Sequence, residues 1–167
     1  MQWKTALDNV AVALEVGGLP REAARERASQ WLARVGLARF TQRYPHQLSG
    51  GQRKRVALAQ VLIRDPAILL MDEPFGPLDA QTRGLMGDLL LKLWSQDRKA
   101  VLFVTHDLEE AIALSDLIVV FSPRPGRILE VVKVPLPRPR DVLTVYDYDG
   151  FHQLHAPLQR MLLRDKT

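Results

Sequence analysis

Cysteine is absent from this sequence. That excludes a disulfide framework and any thiolate metal site, and it agrees with a cytoplasmic protein. Long apolar runs are missing as well. None approaches the ~20 residues that a membrane-spanning helix needs, and Met1-Gln2-Trp3-Lys4 shows neither a signal-peptide hydrophobic region nor a cleavage site. Charge of one sign is scarce. The 23 Lys and Arg against 19 Asp and Glu leave +4, too scattered to argue for nucleic acid. No internal repeat, low-complexity tract or convincing linker divides the chain. None of the ten glycines precedes a lysine, so a phosphate loop of the form G-x-x-x-x-G-K-[ST] does not occur within these 167 residues. What remains, 47% apolar and 25% charged, is the ordinary make-up of one globular domain with a real core.

Against that background one stretch organises the rest: Leu48-Ser49-Gly50-Gly51-Gln52, followed by the apolar run Ile68-Leu69-Leu70-Met71 ending in Asp72-Glu73. Ser49 is a good helix N-cap, and Gln52 three residues later completes the pattern of a capping box. Gly50 and Gly51 then fill the first turn, each costing about 1 kcal/mol of helix propensity relative to Ala. Glycine there makes sense if something must approach the backbone closely. The free N–H groups and positive dipole end of such a helix suit an anion such as phosphate. Arg53, Lys54 and Arg55 put three cations where the macrodipole disfavours them. An anion at the same end would remove the conflict, whereas a solvated basic face is the simpler account of the triplet alone.

The remaining pattern is α/β. Residues 5 to 47 read as helical: Pro20 suits a first helical position, and Ala24, Ala28, Leu32 and Val35 recur at helical spacing until Gly36 stops the run. Trp31 reads as core or interface. The helix from Ser49 runs to about Ile63, and Arg64-Asp65-Pro66 turns the chain. Residues 67–71 and 100–104 are continuous apolar runs between turn signals, as expected of buried parallel strands. Asp72-Glu73 and Thr105-His106-Asp107 therefore fall at strand C-terminal ends, where open α/β sheets bind ligands. Neighbouring strand residues face opposite ways, so the two carboxylates are expected to do different jobs. A lone histidine is usually structural; the position of His106 favours function. Asp79 can cap a helix whose apolar face runs through Leu85, Leu89 and Leu93 and through Met86, Leu90 and Trp94, slightly weakened by Gly84 and Gly87. Asp107 caps the next helix, with Glu109 and Glu110 in its first turn. Residues 117–121 form a third strand, and Pro125-Gly126 turns into 127–134 as a hairpin. Prolines at 123, 125, 135, 137 and 139 imply an extended exposed segment. Phe151, Leu154, Leu158 and Leu162 line a closing helix.

These residues resemble the ATP-binding-cassette (ABC) ATPases. Leu48 to Gln52 is similar to the signature motif, Ile68 to Glu73 to the Walker B strand, Pro77-Leu78-Asp79 to the D-loop and His106 to the switch histidine. Met71-Asp72-Glu73-Pro74-Phe75-Gly76 and Leu136-Pro137-Arg138-Pro139-Arg140-Asp141 are similar to the importer branch for nitrate, sulfonate or taurine. The resemblance implies the C-terminal two-thirds of a P-loop NTPase domain. A helical subdomain over about 5–63 would be followed by a parallel-strand and helix core with a C-terminal hairpin and helix over 64–167, all within one partial domain. It implies ATP and Mg²⁺ as cofactors. Asp72 would help hold Mg²⁺ through water, Glu73 would be the general base on the attacking water, and His106 would contact the γ-phosphate. Ser49, Gly50, Gly51 and Gln52 would close over ATP held by a second subunit, with Asp79 contacting that subunit through the D-loop. Implied partners are that second ATPase subunit, transmembrane permease subunits and, indirectly, a periplasmic or lipoprotein solute-binding protein, but no nucleic acid. The implied location is cytoplasmic, on the inner face of the cell membrane.

Met1 to Asn9 resembles the stretch just after the Q-loop, so Gln2 is not the Q-loop glutamine. The surviving residues then divide: Ser49 to Gln52 keep a role in trans, while Asp72, Glu73 and His106 serve a nucleotide bound on their own subunit. The chain alone is expected not to bind or hydrolyse ATP appreciably. Strand edges and apolar faces are expected to lie bare. The alternative reading is a non-catalytic partner that lends only its signature motif to an intact ATPase.

Overall fold

The computed structural model describes residues 1–164. Its first part is helical: α1 (Ala6–Glu15), α2 (Arg21–Arg34) and α3 (Gly50–Leu62). Small residues let these helices approach closely, and Ala6, Val10, Ala11, Ala24, Ala28 and Leu32 are wholly buried between them. Pro20 sits one position earlier than expected. Its carbonyl accepts the first bond of α2 from Ala24 N–H (2.9 Å) while its ψ of 141° keeps it outside the helix, as an N-cap. Gly36, at φ +75°, ends the run with paired bonds from Leu37 N–H to Leu32 O (2.7 Å) and Gly36 N–H to Ala33 O (3.0 Å), a Schellman stop. From there to Ser49 the chain makes two single 3₁₀ turns, Ala38–Phe40 and Pro45–Gln47, rather than continuous helix.

β1 (Ile68–Asp72), α4 (Ala80–Gln96) and β2 (Ala100–Val104) form a parallel crossover unit, in register from Ile68↔Ala100 to Asp72↔Val104. Lys99 ties the entrances of the two strands by pairing with Asp65 and Asp97. The strands are not buried as their apolar runs foretold. Leu69 is buried, but Ile68 (61% exposed), Leu70 (71%) and Leu102 (60%) are not. A continuous apolar run suits a strand covered on both faces, and among the described residues one face of this pair has no cover. The expected bare apolar face is therefore present.

The second part comprises α5 (Leu108–Leu114), β3 (Leu117–Phe121), β4 (Ile128–Lys133) and α6 (Phe151–Arg164). β3 and β4 form the expected antiparallel hairpin, with an irregularity at Val120/Phe121, and β3 pairs with neither β1 nor β2. Phe151 and Leu158 of α6 are buried in a second core with Ile112, Ile118 and Val120.

Three expectations change here. The proline-rich stretch does not lie exposed throughout: Val134 and Leu136 are buried, and so is Arg140, at 7% exposed. The Arg140 guanidinium donates to the carbonyls of Leu136 (2.7 Å), Ile112 (3.1 Å) and Ser115 (2.5 Å), collecting the unsatisfied end of α5. Gly84 and Gly87 are also more than weak points of α4. A Cβ on Gly87 would lie 2.8 Å from Val142 Cγ2, and one on Gly84 would lie 2.2 Å from Leu143 Cδ2. Their bare backbone is the seat of the 142–143 segment, pinned there by Val142 N–H donating to Asp88 Oδ1 (2.7 Å). Leu85, expected on the apolar face, points to solvent.

Candidate functional site

Two groups of polar residues stand at ends of these elements. The first is the start of α3. Ser49 Oγ accepts from Gln52 N–H (3.2 Å) and Gln52 Oε1 accepts from Ser49 N–H (2.9 Å), so the capping box is formed. The first backbone bond inside the helix comes from Arg53 N–H to Ser49 O (2.9 Å), so the N–H groups of Gly50 and Gly51 precede the ladder. Two of the three basic residues are also tied to the chain's own backbone, although Arg53 stays exposed. Arg53 Nη1 donates to Leu48 O (2.6 Å) and Arg55 Nη1 to Val35 O (3.3 Å), bracing the loop before the helix and the end of α2. What approaches the glycines within the chain is the first turn of α4 and the loop before it. A Cβ on Gly51 would meet Thr82 Cγ2 at 2.8 Å, and one on Gly50 would lie 3.8 Å from Leu78 Cδ2. Asp79 caps that turn by accepting from Thr82 N–H (2.9 Å), and this bonding to Thr82 holds its carboxyl below the usual carboxylate range.

The second group lies at the paired C-terminal ends of β1 and β2. Glu73 N–H donates to Val104 O (2.9 Å), carrying the pairing one residue past the strand. Glu73 has φ +40°, so its direction is set by a left-handed turn and not by strand alternation with Asp72. A non-glycine residue there costs roughly 1–2 kcal/mol, and such strain gathers at functional sites. The turn brings Glu73 Oε1 to 3.1 Å from His106 Nδ1, both side chains open to solvent. Asp72 stands beside them, exposed. No hydrogen bond or ion pair among the described residues joins this group to Ser49–Gln52.

Beneath the pair is a network that the sequence did not announce. Arg83 Nη1 lies 2.5 Å from Asp107 Oδ2 and its Nη2 donates to Leu78 O (3.2 Å), while its buried Nε has no hydrogen-bond partner, with Glu110 Oε1 3.7 Å away. Glu110 is 4% exposed and accepts from Thr105 Oγ1 (2.7 Å). Burial pushes its carboxyl above the usual range, with Asp107 adding to the rise against the opposing Thr105 bond. Glu110 reads from sequence only as a first-turn acid, and the one available signal for its burial was a threonine five residues before it.

The ABC transporter family profile matches residues 1–76. An uncharacterized ABC transporter ATP-binding protein of Methanocaldococcus jannaschii is 52% identical over 141 residues, covering 84% of this chain and 53% of its own length. The taurine import ATP-binding protein TauB of Chromobacterium violaceum is 49% identical over 138 residues (83% and 53%). TauB of Escherichia coli O157:H7 is 48% identical over 136 residues (81% and 52%). Among solved structures, a dimeric ATP-binding cassette in a post-hydrolysis state bound to ADP and Pi superposes with a TM-score of 0.66 at 36% identity, covering 80% of this chain and 58% of that one. The chain spans about half the length of the curated relatives it matches.

Proposed function

Since the chain belongs to the ABC transporter ATP-binding protein family, we propose that it serves an importer for a small oxyanion of the nitrate, sulfonate or taurine type, coupling uptake to ATP hydrolysis. The observation that carries the reading is the Glu73–His106 contact of 3.1 Å at the joined ends of β1 and β2. Glu73 accepts the proton of the attacking water, and His106 holds that carboxylate and faces the terminal phosphate. Asp72 would help hold Mg²⁺, which would neutralise charge on the phosphates. An exposed carboxylate at the end of β1 fits that limited role, because Mg²⁺ usually keeps several waters and takes one or two carboxylates. The N–H groups of Gly50 and Gly51, held open by the Ser49–Gln52 box, fit the phosphate edge of a nucleotide on a second subunit. Asp79 meets that subunit. Bound ATP would supply the transferable phosphoryl group.

Residues 1–167 offer no phosphate loop, so the chain by itself neither holds nor hydrolyses nucleotide. The preformed capping box favours a second reading beside the first, a subunit that lends only its signature motif to a complete ATPase. No helix among the described residues is long and apolar enough to cross a membrane, and in either reading the site works at the inner membrane face, beneath permease subunits fed by a solute-binding protein.

Calorimetry of the folded chain at millimolar MgATP is expected to show no saturable isotherm; a clear one overturns the inactivity. Mixing with a complete ATP-binding subunit of the taurine-import type separates the readings. An ATP-dependent mixed complex that Ser49→Arg abolishes supports action in trans, and failure to form it removes that reading.

A further inference from the structure

We infer that Arg83 is a positioning residue that couples the turn carrying Asp79 to the His106 loop. Its guanidinium spans the two. On one side it holds the carbonyl of Leu78, whose peptide leads directly into Asp79 (3.2 Å). On the other it meets Asp107, the residue after His106 (2.5 Å). Asp107 in turn caps α5 through Glu109 and Glu110 N–H (2.9 and 3.1 Å), while Thr105, the residue before His106, is held by its own bond to Glu110 (2.7 Å). His106 is thus exposed itself but flanked on both sides by residues tied into one partly buried network.

The planar fork of arginine suits this task, since its donors point in fixed directions at two different acceptors. Arg83 Nε, buried with no hydrogen-bond partner, shows a side chain placed for its two ends at the expense of its middle. A displacement of Leu78–Asp79 moves the guanidinium, and the guanidinium moves Asp107. The consequence for catalysis, that engagement of Asp79 by a second subunit is felt at the phosphate-facing histidine, rests on the function proposed above. The coupling itself does not need nucleotide.

The test is therefore made on the full 167-residue chain without nucleotide, by recording the His106 ring signal by NMR. Asp79→Ala is expected to shift that signal in the otherwise native chain. In an Arg83→Gln background the Asp79→Ala shift at His106 is lost, while the local change at Thr82 N–H persists. Arg83→Lys restores part of it. Asp107→Asn is the second variant, because Asn still caps α5 but no longer pairs with Arg83 as an anion; it too is expected to abolish the shift. A His106 shift of equal size with and without Arg83, or none in the native background, overturns the coupling. Loss of folding in both the Arg83→Gln and Asp107→Asn chains, read by circular dichroism, also overturns it in favour of a purely structural role. Nucleotide binding can succeed or fail independently of these signals.

Discussion

Glu110 shows how far one buried carboxylate departs from its sequence reading. Its folded-state pKa is raised, first by burial, so the folded chain binds that proton more tightly than the unfolded chain. The associated stability is present in full below the unfolded pKa and is lost as pH rises through the folded one. Glu110→Gln keeps an acceptor for Thr105 and removes the charge. It is expected to raise the urea midpoint at pH near 7 and to lose that advantage as the solution is acidified below the usual carboxylate range, measured as paired denaturation curves against pH. Ser49→Ala removes the Oγ that accepts from Gln52 N–H, one arm of the capping box, and should cost about 1 kcal/mol, read in the same way. Ser49, Gln52, Asp79 and Asp107 could be placed from sequence because a cap is satisfied within three residues. Arg83 could not, since its partner Asp107 lies 24 residues away in sequence and nothing local signals the pair.

Elements were legible where their own periodicity decides them. The Val35–Gly36 stop, the hairpin and the apolar face of α6 follow from short-range pattern. The two faces of β1 and β2 do not, because a continuous apolar run states what a strand can tolerate on each side and not what covers it. Gly84 and Gly87 were misjudged for the related reason that helix propensity ignores what packs from outside. Gly87→Ala gains about 1 kcal/mol of propensity but drives a methyl into Val142, a stiff β-branched side chain that is itself buried. Overpacking costs about 1–3 kcal/mol, so the net effect should be destabilising, seen as a lower thermal midpoint. Arg140 makes the opposite point about polar residues in a proline-rich stretch. Arg140→Ala strands several buried carbonyls at the end of α5 and should cost about 3 kcal/mol. Arg140→Lys should recover little, because one ammonium cannot reach carbonyls set around a planar fork.

At the scale of the whole molecule the described residues form two cores, one built by α1 to α4 with β1 and one by α5, the hairpin and α6, and Val142 of the second core lies with Leu143 against α4. The bare face of β1 and β2 is the feature with most effect on its behaviour alone. Leu70 and Leu102 are register partners and both are exposed. Replacing both by Thr, whose β-branching suits a strand, should reduce concentration-dependent aggregation and dye binding of the isolated chain without lowering its thermal midpoint. The left-handed backbone of Glu73 has a consequence of another kind. Relieving it with glycine would stabilise the fold by about 1 kcal/mol, roughly a fivefold gain in the folded-to-unfolded ratio. A library of this chain screened only for survival on heating would therefore enrich glycine at position 73 and discard the carboxylate that meets His106. Heat tolerance and chemistry would be selected in opposite directions at the same codon.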